Sequence, residues 1–404
     1  MRKKALAMLM AMGMMTTAVF GGATVVSAAE KCSVAISLAD QSDYFIGTML
    51  GAAVEEAFKG AGADVQILDG ANDVQNQVNQ IQNAITGGAD IIYIFPAGDG
   101  EVYCDVLEAA KDAGVKTLMS NNYPGEGYAT SYVGADEFQV GVMMAELVSD
   151  WVDEHYPDAE EEEVGALILE ASSNQNMIKR CLGMRMIGEK FLRKADMATI
   201  YFEKEDGDPV TYIDEDGNEV DVDEPTGGLI LDDEGHAQLN PYYNEKVKII
   251  EYSNRNSTGY DSTEAQNAIE NAVTMGEDSM RVVMSYGDTG AAIQEKMKEL
   301  VEDGRIDAEL SDVATFCSDL TDTNKELIEA SASDGSLLRG VMTSGNIIQT
   351  ICDRAKAMVN GEEVDEYSME PLSNVRANED GSDIVETFYT DCPQLPDTEL
   401  FFEN

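Results

Sequence analysis

SLADQSDYFIGTMLGAAVEEAF, residues 37–58, joins the end of an apolar strand to the start of an amphipathic helix. The strand-like run from Ser33 to Ala39 stops at the polar residues Asp40 to Asp43. Beyond them Ile46, Met49, Leu50, Ala53 and Ala57 recur at spacings of three and four, one face of a helix. Two aromatics, Tyr44 and Phe45, stand at the joint. A strand-to-helix turn is the least protected part of such a unit, so two rings there ask for a reason. In an open parallel sheet the turn lies outside the carboxyl end of a strand, where ligands bind.

The unit repeats along the chain. VQILDG is followed by Val74, Val78, Ile81 and Ile85 on a Gln/Asn-rich helix that ends at TGGAD. IIYIFP leads to a helix over Val102–Ala113, and KTLMSNN follows. Glycine directly after each helix is the expected left-handed stop. A longer helix from Phe138 to about Val152 places Met144, Leu147, Val148 and Trp151 on one face. After the acidic link DAEEEE a second run begins: strand VGALILEA, a helix over Met177–Phe191, strands VKIIEYS and MRVVMSYG, and a helix over Thr289–Val301. VATFCSD and LLRGVMTSG close it, each followed by a helix. Continuous apolar strands alternating with helices predict parallel sheets covered on both faces. The chain therefore reads as two similar α/β halves.

Three segments fall outside this pattern. Residues 1–29 combine Arg2, Lys3 and Lys4, a long apolar run and small residues before Ala28 and Ala29, the plan of a cleaved export signal. Lys31 precedes Cys32 where lipidation needs Gly or Ala, so no lipid anchor is expected. Between about 198 and 245, DPVTYIDEDGNEVDVDEP alternates around Asp216-Gly217, a hairpin pattern. A calcium loop starting at Asp214 would need Gly sixth and Glu twelfth, but Gly217 falls fourth and Pro225 twelfth. No metal site is expected there.

Composition removes whole classes of function. With 26 Lys plus Arg against 77 Asp plus Glu, the formal charge is −51. Such a surface repels nucleic-acid phosphates and anionic lipid. The six cysteines, Cys32, Cys104, Cys181, Cys317, Cys352 and Cys392, are widely spaced and include no CxxC pair. An exported chain can form disulfides, and six cysteines allow 15 pairings; small buried thiols are the alternative. The only histidines are His155 and His236, neither at a strand end. A nucleophile elbow, a phosphate-binding P-loop and a dinucleotide fingerprint are all missing. Neither an enzyme nor a cofactor is expected.

Polar and aromatic residues collect instead at the strand ends. In chain order these are Ser42 to Phe45, Pro96 to Asp99, Asn121 and Asn122, Asn174 to Asn176, Asn256 to Tyr260, Asp288, Ser318 and Asp319, and Met342 to Thr343. Asn and Asp are also ordinary turn and cap residues, so each alone says little. Together, amides, hydroxyls and carboxylates match the donors and acceptors of a polyhydroxylated molecule, and the rings match its C–H faces.

With these residues the chain resembles the type I periplasmic-binding proteins, and within them the ribose- and galactose-binding group that serves monosaccharide ABC transporters. The resemblance runs from Ser33 to about Val364 outside the insertion, through YFIGTMLGAAVEEAFKGAGADVQILD, GGADIIYIFP, GVKTLMSNN, YVGADEFQVG and KRCLGM in that order. It implies two Rossmann-like lobes with parallel sheets, joined by a three-stranded hinge. The lobes would comprise 30–135 plus 343–366, and 136–342 plus 367–404. Tyr44, Phe45 and Tyr260 fall where that group places stacking aromatics, and Asn121, Asn122, Asn176, Asp288, Ser318 and Thr343 complete the expected ligand-binding set.

Several positions depart from the group. Asn121-Asn122 replaces an Asp-Arg pair, and Gly287 replaces the Asn of an Asn-Asp motif. Cys317 or Ser318 stands for an acidic contact that Asp319 would supply after a small shift. Met342 stands for a Gln, and Ile178 for an Arg. The implied pocket is less charged than that of a plain aldose binder. The resemblance implies a monomeric, exported receptor, periplasmic or at the cell-envelope exterior, with a sugar-like ligand and an ABC permease as partners. The alternatives left open are a sensor presenting its closed form to a membrane receptor, and a non-sugar solute such as a nucleoside or amino acid derivative.

Overall fold

The computed structural model describes residues 31–170, 175–197, 200–250, 262–285, 287–331, 335–377, 384–389 and 401–402. The export segment lies outside them, as do Tyr260 and Cys392. Among the described residues no helix is long and apolar enough to cross a membrane.

The first half of the chain lays down strands β1 (Ser33–Leu38), β2 (Asp64–Asp69), β3 (Ile91–Phe95), β4 (Lys116–Ser120) and β5 (Ser131–Gly134). They pair in parallel in the order β5-β4-β3-β1-β2. Helices α1 (Ala52–Gly60), α2 (Val74–Thr86) and α3 (Cys104–Asp112) connect the first four. Alternation along each strand divides the core between two faces. Val34, Ile36, Leu38 and Tyr93 pack with Val54 and Phe58 of α1, while Ala35, Ile92 and Ile94 pack with Ile81 of α2 and Leu107 of α3.

The helix of the opening stretch differs in detail from its spacing. Tyr44–Gly51 winds as wide π-helical turns, capped by the Asp43 carboxylate on the Ile46 amide at 2.8 Å, and α-helical spacing begins only at Ala52. Two glycines let this segment lie against the strand. A Cβ on Gly47 would sit 2.0 Å from the Gln41 carbonyl oxygen, and one on Gly51 2.7 Å from a Leu38 methyl.

The second half supplies β6 (Val164–Leu169) and the insertion strands β7 (Ala195–Asp196), β8 (Tyr201–Phe202), β9 (Thr211–Ile213) and β10 (Glu219–Asp221). It continues with β11 (Val247–Ile250), β12 (Met280–Ser285), β13 (Ala314–Ser318) and β14 (Leu338–Thr343). Its helices are α4 (Glu137–His155), α5 (Gln175–Arg185), α6 (Ser262–Thr274), α7 (Gly290–Glu302) and α8 (Asp322–Ala330). The sheet runs β11-β6-β12-β13-β14 in parallel. α4 and α5 cover one face of it; α6, α7 and α8 cover the other.

Among the described residues, three segments cross between the sheets. β5 leads into α4; β14 leads into α9 (Ile347–Val359), which packs on the first sheet; and β15 (Tyr367–Met369) leads back to β16 (Leu372–Ala377). β15 pairs with β5, so Tyr367 to Met369 belong to the first sheet and the last crossing falls at Glu370-Pro371, later than the boundary expected at 367. β16 and β17 (Ile384–Tyr389) then extend the second sheet with antiparallel pairing. That antiparallel edge lies in the tail that carried no resemblance.

The hairpin read around Asp216-Gly217 is formed by β9 and β10. Its turn is organised by Asp214, whose carboxylate accepts from the amides of Asp216 and Asn218, holding its pKa below the usual carboxylate range. The insertion starts earlier than 198, since Phe191 and Arg193 already bridge to Leu239 and Leu229. It also shortens α5, which was expected to reach Phe191. The Asn240 amide donates to the carbonyls of Met186 (2.6 Å) and Glu189 (2.7 Å), satisfying groups that a continuing helix would have used.

Candidate functional site

The carboxyl ends of both sheets meet across a cleft. From the first sheet come the turn after β1, the ends of β3 and β4, and the start of α9. From the second come the first turn of α4, α5, and the loop after β13. Phe45, Phe95, Ser120, Asn121, Glu137, Arg180, Asp319 and Ile347 are among the residues lining an inner cavity of about 60 Å³. Phe45, Asp319, Ser344 and Ile347 also line an outer chamber of about 430 Å³ toward the crossings. The Phe45 and Phe95 rings stand edge-to-face at 6.5 Å, an aromatic wall on the first lobe.

Arg180 is the centre of the inner cavity's polar side. Its Nε donates to Glu137 Oε2 at 2.8 Å, a second nitrogen makes the ion pair with the same oxygen, and a third donates to Ser318 Oγ at 2.7 Å. Two glycines set this geometry. A Cβ on Gly183 would lie 2.2 Å from the Phe138 carbonyl oxygen, and one on Gly141 2.1 Å from that of Arg180. With no side chain at either position, α4 and α5 touch backbone to backbone, and Glu137 and Arg180 face each other at the cleft.

This overturns the expectation of a pocket without an arginine. Ile178, at the position where the resemblance implied one, is buried in the core beneath α4, and Arg180 occupies the cleft instead. Helical periodicity explains it: Met177, Ile178, Cys181 and Leu182 form the buried face of α5 and turn Arg180 the other way. Arg180, Glu137 and Phe95 were missed in the sequence, although the apolar spacing of α5 already placed Arg180 off its core face. Met342 and Cys317 are fully buried and line neither cavity.

The expected ligand set is distributed unevenly. Asn121 lines the inner cavity with a left-handed backbone (φ 72°), its carbonyl held by the Tyr132 hydroxyl at 2.6 Å. Its side-chain oxygen accepts from Asn176 Nδ2 at 3.2 Å, a bond between the two lobes. The Gln175 amide makes a second one to Asp99 at 3.2 Å. Phe45 lines both cavities and Thr343 the outer one. Ser318 is buried and reaches the site through Arg180.

Asn122 is 3% exposed and donates to the Gly98 carbonyl at 2.8 Å, so it ties two loops together without lining either cavity. Tyr44 is 51% exposed and lines neither. Asp288 accepts from Thr321 (3.1 Å) and Asn324 (2.8 Å); burial, with Asp43 adding, raises its pKa. Among the described residues no group of His, Cys, Asp and Glu could hold a metal ion.

Asp319 joins the two cavities. Burial pushes its carboxyl up to about 6, opposed by Arg180 and reinforced by Asp288, Glu137 and Asp43. Its proton is therefore held in the folded chain at pH values where the unfolded chain, near 3.8, has released it. The stability this gives is complete below about 4 and is lost as pH rises through about 6. Asp319→Asn suits the left-handed backbone here (φ 72°). It should match the parent at pH 4 and exceed it at pH 7 by roughly 1–2 kcal/mol, after discounting for the open cavity. Urea unfolding at the two pH values measures this; equal gains at both would refute it.

Comparison with known proteins agrees with this architecture. Residues 34–221 match the model of a periplasmic binding protein domain. The multiple sugar-binding periplasmic receptor ChvE of Rhizobium radiobacter is 36% identical over 92 residues, 22% of this chain and 25% of that protein. The D-xylose-binding periplasmic protein of Escherichia coli (strain K12) is 30% identical over 91 residues, 22% and 27% of the two chains. The matched stretch thus spans about a quarter of the length of these relatives. Among solved structures, the Caulobacter myo-inositol binding protein bound to myo-inositol superposes with a TM-score of 0.55 at 18% identity, covering 85% of this chain and 92% of that one. A carbohydrate transporter solute binding protein from Agrobacterium radiobacter, in complex with D-arabinose, gives 0.55 at 14% identity, covering 86% and 95%. Residues 34–221 are thus similar to a periplasmic binding protein domain, and the two sheets with their crossings have the type I periplasmic-binding fold.

Proposed function

We propose that the chain is an exported solute receptor that captures a sugar or sugar-like molecule between its lobes and hands it to an ABC transporter permease. The observation that carries this reading is the cleft itself. One cavity sets an aromatic wall, Phe45 and Phe95, with Asn121 on the first lobe against Arg180, Glu137 and Asp319 of the second. Rings cover the apolar faces of a sugar, and charged donors and acceptors take its hydroxyls. The sugar-binding names of the relatives support the ligand class. Closure would be a hinge motion about the three crossings, bringing the two lobes together around the solute.

The test is thermal unfolding of the chain against monosaccharides, disaccharides, polyols, nucleosides and amino acids. A ligand at 100 times its dissociation constant stabilises the folded form by about 2.7 kcal/mol. Phe45→Ala should weaken that ligand by about tenfold or more, since it removes the ring shared by both cavities. Stabilisation by nucleosides or amino acids alone would retain the fold and reject the sugar reading.

A further inference from the structure

The inner cavity alone is too small for a sugar ring. At about 60 Å³ it lies far below the roughly 300–1,000 Å³ of ordinary small-molecule sites. The cross-lobe bonds donated by Asn176 to Asn121 and by the Gln175 backbone amide to Asp99 hold the lobes together at that end, so the space is not an open funnel. The outer chamber, about 430 Å³, falls in the ordinary size range of small-molecule sites. Phe45 and Asp319 border both spaces, which makes them one elongated cleft with a narrow polar end and a broad end.

The broad end is furnished for a ligand in its own right. Met49, Ile347 and Ile348 give it apolar surface, while Gln349 and Glu386 add hydrogen-bonding groups at its rim. Glu386 comes from β17, the strand added in the C-terminal tail, and it is oriented by the Ser373 hydroxyl at 2.8 Å. The chain has therefore lengthened its second sheet in a way that brings one more carboxylate to the outer chamber.

We infer that the solute is longer than a single sugar: a disaccharide or glycoside with one polar end at Arg180 and Glu137 and its second ring in the outer chamber beside Glu386. This rests on the reading of the cleft as a sugar site. Phe45 lies at the junction and covers the ring nearest the linkage. Gln349 and Glu386 take hydroxyls of the far ring.

Calorimetric titration of the chain with D-glucose, D-xylose and D-galactose, and with cellobiose, maltose, lactose and xylobiose, tests it. The expected result is that one disaccharide binds at least tenfold tighter than its constituent monosaccharide. Glu386→Gln then weakens that disaccharide several-fold more than it weakens the monosaccharide. Gln349→Ala does the same from the other side of the chamber, and covers the case in which the Glu386 variant folds poorly. A monosaccharide that binds as tightly as every disaccharide containing it overturns the inference and leaves the sugar receptor intact. No binding by any of the seven sugars overturns both.

Discussion

Gly183→Ala should destabilise the chain by about 3 kcal/mol, the upper part of the range for overpacking a tight core. An added methyl would meet the Phe138 carbonyl oxygen at 2.2 Å, the Val142 amide nitrogen at 2.7 Å and Gly141 Cα at 2.8 Å. These are backbone atoms of α4, not the ends of flexible side chains, so relief requires the helices to part. Alanine's better helix propensity returns at most ~1 kcal/mol and cannot reverse the sign. Parting α4 from α5 also withdraws Glu137 from Arg180, so the variant should lose ligand-induced stabilisation as well as intrinsic stability. Gly60→Ala, where the same methyl meets nothing within 4 Å, is the matched control and should be neutral or slightly stabilising. Thermal unfolding of both variants decides it: a Gly183→Ala transition within a degree of the parent would show that the two helices are free to separate.

The repeated unit was legible because both faces of the inner strands are buried. Val34 to Leu38 and Ile91 to Phe95 leave no room for polar alternation, and the helices between them show their apolar stripes openly. Phe45 was legible because it stands at a strand-to-helix turn, where its ring packs on the edge of the first core and still borders both cavities. The site's charged half was not. Arg180 sits one turn into a helix whose partner, Glu137, is 43 residues away on another helix, and neither lies at a strand end. What brings them together is the Gly141–Gly183 contact, a long-range packing event that no local pattern reports. Asn122 misled in the opposite direction. It lies at a strand end like Asn121, but its amide is consumed by the Gly98 carbonyl one loop away. The last crossing moved from 367 to 370 because β15 is only three residues long, too short to announce itself by periodicity.

The second large effect is expected from Arg180→Met. The ion pair with Glu137 is about 90% buried on both sides, so removing one partner leaves a carboxylate in the cavity without its cation. Breaking such a pair costs about 3–5 kcal/mol, far more than an exposed pair would. The deficit should depend on pH in a definite direction. Arg180 lowers the Asp319 pKa, so its loss drives that carboxyl still higher. Groups raised in the folded state give stability that is present at low pH and lost as pH rises, so the variant should lie closest to the parent near pH 4 and farthest from it at pH 7. Adding Glu137→Gln removes the stranded charge and should recover more than half of the lost stability at pH 7, because the cost lies in the unpaired ion and not in the missing attraction. Ligand binding should not return with it, since the charged donor facing the cavity is still gone. Stability and binding are thereby separated at one position. If the double variant recovered binding along with stability, Arg180 would be a fold element alone and the ligand would be held by the aromatic wall and the neutral amides.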